Sequence, residues 1–122
     1  EACADCHLET RIQPEFRSPP PLPPDGDSIS ARMGRHRWAA DRLWEGVVGG
    51  DDEPWRAGLA VLAATPIRWP ELGERKGFAR SLQQLAEQAR QRSTTDSIAD
   101  RARLYGEMLV TCTACHTAKS PK

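Results

Sequence analysis

The pattern Cys-x-x-Cys-His occurs twice in this chain. Cys3, Cys6 and His7 stand in "EACADCHLET", and Cys112, Cys115 and His116 in "VTCTACHTAK". The two copies use all 4 cysteines and two of the 3 histidines. Two Cys-x-x-Cys pairs can form a four-sulfur zinc site, but zinc does not require a histidine directly after each pair. Local disulfides leave both histidines unexplained. Covalent haem attachment uses every residue of the pattern: each thiol adds to one of two neighbouring vinyl groups on the porphyrin edge, and the adjacent imidazole turns to the iron as proximal ligand. Two haem c groups are therefore expected, one at Cys3, Cys6 and His7, the other at Cys112, Cys115 and His116. Zinc and paired disulfides are the alternatives.

The elements that must position these residues follow from proline content and periodicity. Residues 13–27, "QPEFRSPPPLPPDGD", are dense in proline, which favours extended backbone and cannot continue a helix. This stretch reads as a semi-rigid strap, so that residues 1–27 form an N-terminal haem-attachment arm and proline-rich strap. Residues 28–122 form the body. Asp27 or Ser28 caps a first helix whose inner face carries Ile29, Met33, His36, Ala40, Leu43, Trp44 and Val47, and Gly49-Gly50 ends it. "DDEP" opens a second helix with Trp55, Leu59 and Leu62 inward, closed by Pro66. A third is expected from about Glu71 to Arg92, with Leu72, Ala79, Leu82, Leu85 and Ala89 inward. "RSTTD" caps the fourth, whose stripe reads Ile98, Ala102, Tyr105, Leu109, Cys112 and His116. No stretch alternates as a strand does. The fold class is therefore all-α, an antiparallel four-helix bundle with the arm added.

On the fourth helix Cys112, Cys115 and His116 are related as i, i+3 and i+4 and project from one side. A macrocycle bonded there lies against the interior. His36 is the one histidine outside the motifs, and Met33 lies three residues before it on the same face; both are candidate distal ligands. Met108, one turn before Cys112, is expected to pack on the porphyrin. In an up-down-up-down bundle the start of the first helix and the end of the fourth share an end. The strap tethers the N-terminal motif there too, so the two haems are expected close together.

The stretch "ARLYGEMLVTCTACHTAK" on a fourth helix, with the first-helix stretch "MGRHRWAADRLWEGVVGG", resembles cytochrome c-prime and its low-spin relatives. The resemblance covers about residues 28–119 and leaves out "CADCH" and the strap. It implies an antiparallel four-helix bundle holding one haem c on its last helix, with a homodimer as one assembly to consider. It also implies a first-helix methionine as distal ligand in low-spin members, a position Met33 resembles. On that basis Met33 is expected opposite His116, and His36 opposite His7, with the reverse pairing as the alternative. Arg32, Arg35, Arg37 and Arg42 could pair with haem propionates or form a solvated basic face. Trp38, Trp44, Trp55 and Trp69 read mostly as core or haem-packing aromatics, and Tyr105 as packing.

Lys plus Arg equals Asp plus Glu at 17 each, which gives no support for a nucleic-acid partner. No apolar run is long enough to span a bilayer. The functional expectation is a small di-haem electron-transfer protein that works with redox partner proteins and is not an enzyme. Gas binding or sensing of nitric oxide or carbon monoxide, with one five-coordinate iron, is the alternative. A di-haem peroxidase ranks lowest, since so short a chain has little room for an acid–base pocket beside an open iron. Thioether attachment normally takes place outside the bacterial cytoplasm, so a periplasmic or otherwise exported location, with a signal peptide removed, is expected.

Overall fold

A computed structural model of the chain describes residues 2–12, 14–64, 72–92 and 95–118. The described residues contain five α-helices and no strand: α1 (Ala2–Thr10), α2 (Ile29–Val48), α3 (Asp52–Ala64), α4 (Lys76–Arg92) and α5 (Ile98–Thr117). In sequence order α2 packs on α3, α3 on α4 and α4 on α5, and α5 returns to α2.

The helix boundaries have local causes. The Ser28 hydroxyl accepts the Ala31 N–H at 3.1 Å and starts α2, which ends where Gly49 N–H bonds to the Glu45 carbonyl. Gly50 then takes a φ of 66°, left-handed backbone that suits glycine. Asp51 Oδ1 accepts the Glu53 N–H at 3.0 Å, and Pro54 sits in the first turn of α3, where its missing N–H costs no helical bond. The proposed closure of α3 at Pro66, and Trp69 with it, lies outside the described residues.

Two expectations about boundaries change. An α-helix from about Glu71 is replaced by a 3-10 turn, Gly73–Arg75, followed by α4 from Lys76. The φ of 50° at Gly73 cannot continue an α-helix, which explains the late start. The cap of α5 is Ser97, just beyond "RSTTD": its hydroxyl accepts the Asp100 N–H while the Asp100 carboxylate accepts the Ser97 N–H, a capping box.

The core joins Ala39, Leu43 and Val47 of α2 to Trp55, Leu59 and Leu62 of α3, Leu82, Ala86 and Ala89 of α4, and Leu104 and Met108 of α5. Glycine lets α2 and α3 approach closely. A Cβ at Gly46 would stand 2.9 Å from the Trp55 backbone, and one at Gly58 would stand 2.8 Å from the Ala39 carbonyl oxygen. The buried stripe of α5 is Arg101, Leu104 and Met108, turned from the expected one; Ala102, Tyr105 and Cys112 flank it half-buried and Leu109 is exposed. Met108 is thus a core residue. Trp44 is also exposed, with its ring 6.1 Å from that of Tyr105, and Trp55 is wholly buried.

Residues 14–27 are neither helix nor strand. They run antiparallel to α2, held at intervals by groups that α2 presents. A Cβ at Gly49 would meet the Phe16 ring at 3.1 Å and Pro14 at 3.6 Å. Trp38 Nε1 donates to the Pro20 carbonyl at 2.8 Å, Arg35 Nη1 to that of Pro23 at 2.9 Å, and Arg32 Nη2 to that of Asp27 at 2.7 Å. Extended proline-rich backbone has carbonyls free to accept such bonds, because it makes none within itself.

Candidate functional site

Where α2 begins and α5 ends, a pocket opens between α2, α4 and α5. Cys112, Cys115 and His116 line one side from α5, and Arg32, Met33 and His36 line another from α2. Leu72, Phe78, Ala79 and Leu82 supply apolar walls. Ile29 and Phe78 stand partly exposed among the lining residues.

The i, i+3, i+4 spacing on α5 turns both thiols and the imidazole toward this space. The helix carrying them is well satisfied. Thr111, Thr113 and Thr117 return their hydroxyls to the carbonyls of Glu107, Leu109 and Thr113 at 2.9, 3.0 and 2.9 Å, so none competes for a ligand. Beyond the helix end, Arg75 donates from Nε and Nη2 to the Ala118 carbonyl at 3.3 and 2.9 Å. Burial, and then the neighbouring Cys115, push the Cys112 thiol above its ordinary range. Burial first, and then the charge of His116, hold His36 below the ordinary imidazole range. The two imidazoles therefore lie near enough to feel each other across the pocket.

The N-terminal motif lies on α1 and has its own local order. His7 Nδ1 bonds to the Ile12 carbonyl oxygen at 3.0 Å. A carbonyl only accepts, so Nδ1 must carry a proton, and in the neutral ring Nε2 then keeps a free lone pair. Metal-ligating histidines are commonly oriented by such a bond from the other ring nitrogen. Arg11, at φ 55°, turns the chain back so that the Ile12 carbonyl can reach the ring. Thr10 Oγ1 bonds to the Cys6 carbonyl at 2.6 Å, and Cys6 itself is exposed and free.

The two motifs are not brought together, and this corrects the expectation of a shared end. Because residues 14–27 run antiparallel to α2, Pro14 lies beside Gly49 while Asp27 lies beside Arg32. His7, bonded to Ile12 two residues before Pro14, is held at the Gly49 end. His36 is 13 positions from Gly49, about 20 Å of helix. The pairing of His36 with His7 is corrected accordingly: His36 and Met33 both face His116. Among the described residues no cluster of three or more His, Cys, Asp and Glu side chains could hold a bare metal ion.

The arginines expected near the haem are mostly engaged elsewhere. Arg35 holds Pro23, and Arg42 is buried in an ion pair with Glu45 and lies 5.9 Å over the Trp38 ring. Arg37 borders a second depression with Trp38 and the proline segment. Arg32 alone of the four lines the pocket, and it also holds Asp27. Sequence reasoning missed Phe78, Thr111 and Arg75. Phe78 stands four before Leu82, an apolar i, i+4 pair that was there to be read; the bond from Arg75 to a carbonyl 43 positions away leaves no sequence signal.

The donor set fits a haem c. It offers two thiols at attachment spacing, an imidazole beside them, apolar walls, and a thioether and a second imidazole on the facing helix. Among the described residues no helix is long and apolar enough to cross a membrane. Comparison with known protein families, curated proteins and solved structures finds no match to this chain.

Proposed function

We propose that the chain is a di-haem c-type cytochrome that carries electrons between redox partner proteins. The carrying observation is the pocket in which Cys112, Cys115 and His116 face Met33 and His36. Both thiols there point at one space, so thioether links to a single porphyrin leave His116 beside its iron. The bound haem supplies one-electron chemistry; the chain supplies burial, axial donors and orientation.

The finer architecture belongs to the same proposal. The closure of α2, α3, α4 and α5 on one another supports an antiparallel four-helix bundle with the haem motif on its last helix. Residues 14–27 then act as a strap, and α1 as an arm carrying the second haem at the opposite end. With about 20 Å of helix between His36 and Gly49, the two haems exchange electrons with partners at separate surfaces. Attachment chemistry of this kind supports a periplasmic or otherwise exported location.

Met33 is the proposed sixth ligand of the pocket haem, with His36 one turn along α2 as the rival donor. Spectroelectrochemical titration of the purified haem protein tests the function. Reversible one-electron behaviour at each haem, with a low-spin spectrum for the pocket haem, is expected. Irreversible or absent redox response in a haem-loaded sample counts against electron transfer.

A further inference from the structure

The distribution of donor atoms separates the two iron sites. Besides His7 and His116, the chain has His36, Met33 and Met108 as good axial donors, and Lys76, Lys119 and Lys122 as weaker ones. His36 and Met33 line the pocket at the start of α2. Met108 is 2 % exposed inside the core and cannot leave it without opening the protein. Lys76 begins α4, two residues before Phe78 of that pocket. Lys119 and Lys122 lie outside the described residues. Tyr105 sits against Trp44, and burial pushes its phenol up and away from the phenolate form that ligates iron.

Among the described residues none of these donors lies at the arm's end of α2. His7 is fixed by Ile12, and Pro14 by the far end of α2, about 20 Å of helix beyond His36. Strap bonds at Pro20, Pro23 and Asp27 oppose a swing of the arm toward the pocket. We infer that the arm haem receives its proximal ligand from His7, keeps its other axial position for an external ligand, and binds small neutral donors such as carbon monoxide, while the pocket haem is closed by α2. This rests on the di-haem reading and adds a division of labour to it: one iron is saturated by the chain and suited to electron transfer, and the other is open.

The test uses the complete haem protein reduced with dithionite and titrated with carbon monoxide. Pyridine haemochrome on the same sample counts the haems, so absence of haem is distinguished from failure of this inference. One carbon monoxide per two haems is expected. The triple variant Cys3→Ala/Cys6→Ala/His7→Ala should lose that binding while its remaining haem keeps its spectrum. In the intact protein, Met33→Ala/His36→Ala should raise the stoichiometry to two. Binding that persists in the triple variant, or no binding at either haem of the intact protein, would overturn the inference.

Discussion

Trp38 Nε1 donates to the carbonyl oxygen of Pro20 across 2.8 Å, and this bond sets the direction in which the proline segment runs along α2. With Pro14 at Gly49 and Asp27 at Arg32, the two attachment motifs lie at opposite ends of a 20-residue helix. Pulsed electron paramagnetic resonance of the oxidised protein should therefore show two weakly coupled spins about 20 Å or more apart, as the rise of α2 requires. Strong coupling between neighbouring irons would contradict this. Trp38→Phe keeps the ring and removes the bond, and should lower unfolding free energy by about 1 kcal/mol.

Helix identities were legible because their signals are local. Ser28, Gly49-Gly50 and "DDEP" mark caps, a stop and a first turn through chemistry confined to a few residues, and both boundaries of α2 and the start of α3 follow. The shared placement of Cys112, Cys115 and His116 on one pocket wall was equally legible, since it follows from their i, i+3, i+4 spacing on α5. What could not be read was the course of residues 14–27. Proline density sets stiffness but not direction, which depends on side-chain donors from Arg35 and Trp38 to carbonyls 12 and 18 positions away. The face of α5 was misread for a related reason: Leu109 fits the periodic stripe as well as Met108 does, and packing against α4 decides for Leu104 and Met108.

Met33 and His36 offer two donors to one pocket, so replacing one need not empty the sixth position. Met33→Ala should leave the pocket haem low-spin through His36, with its reduction potential lowered, because thioether ligation raises potential relative to imidazole. Met33→Ala/His36→Ala should convert that haem to high spin. Optical and magnetic spectra check both. An unchanged spectrum in the double variant would exclude both residues as ligands.

Gly58 lies where α3 touches α2, with a hypothetical Cβ 2.8 Å from both the Ala39 carbonyl and Leu43 Cγ. Gly58→Ala should destabilise by about 1–3 kcal/mol through overpacking. Leu43→Ala, at 1 % exposure, should cost about 2–5 kcal/mol through the cavity it leaves. Chemical denaturation of each variant provides the values, and a neutral Gly58→Ala would refute the close approach of these helices.

Asp52 pairs with buried Arg101 at the start of α3, and that hydrogen bond and charge hold its carboxyl below the usual carboxylate range. A carboxyl depressed in the folded state binds protons more readily when unfolded. Its stabilisation is present above the ordinary value of 3.8 and is lost as pH falls below it toward the lower folded value. Asp52→Asn should flatten the acid limb of stability against pH while lowering stability at neutral pH. An acid limb unchanged in Asp52→Asn would show that this pair does not contribute.

The number of porphyrins bound through sulfur is the quantity on which the functional reading stands. Intact mass of the matured protein, with pyridine haemochrome on the same sample, measures it directly. Two haems per chain are expected, one lost in Cys3→Ala/Cys6→Ala and the other in Cys112→Ala/Cys115→Ala. A matured chain with the mass of its bare polypeptide, or with one haem indifferent to either pair of substitutions, would contradict it.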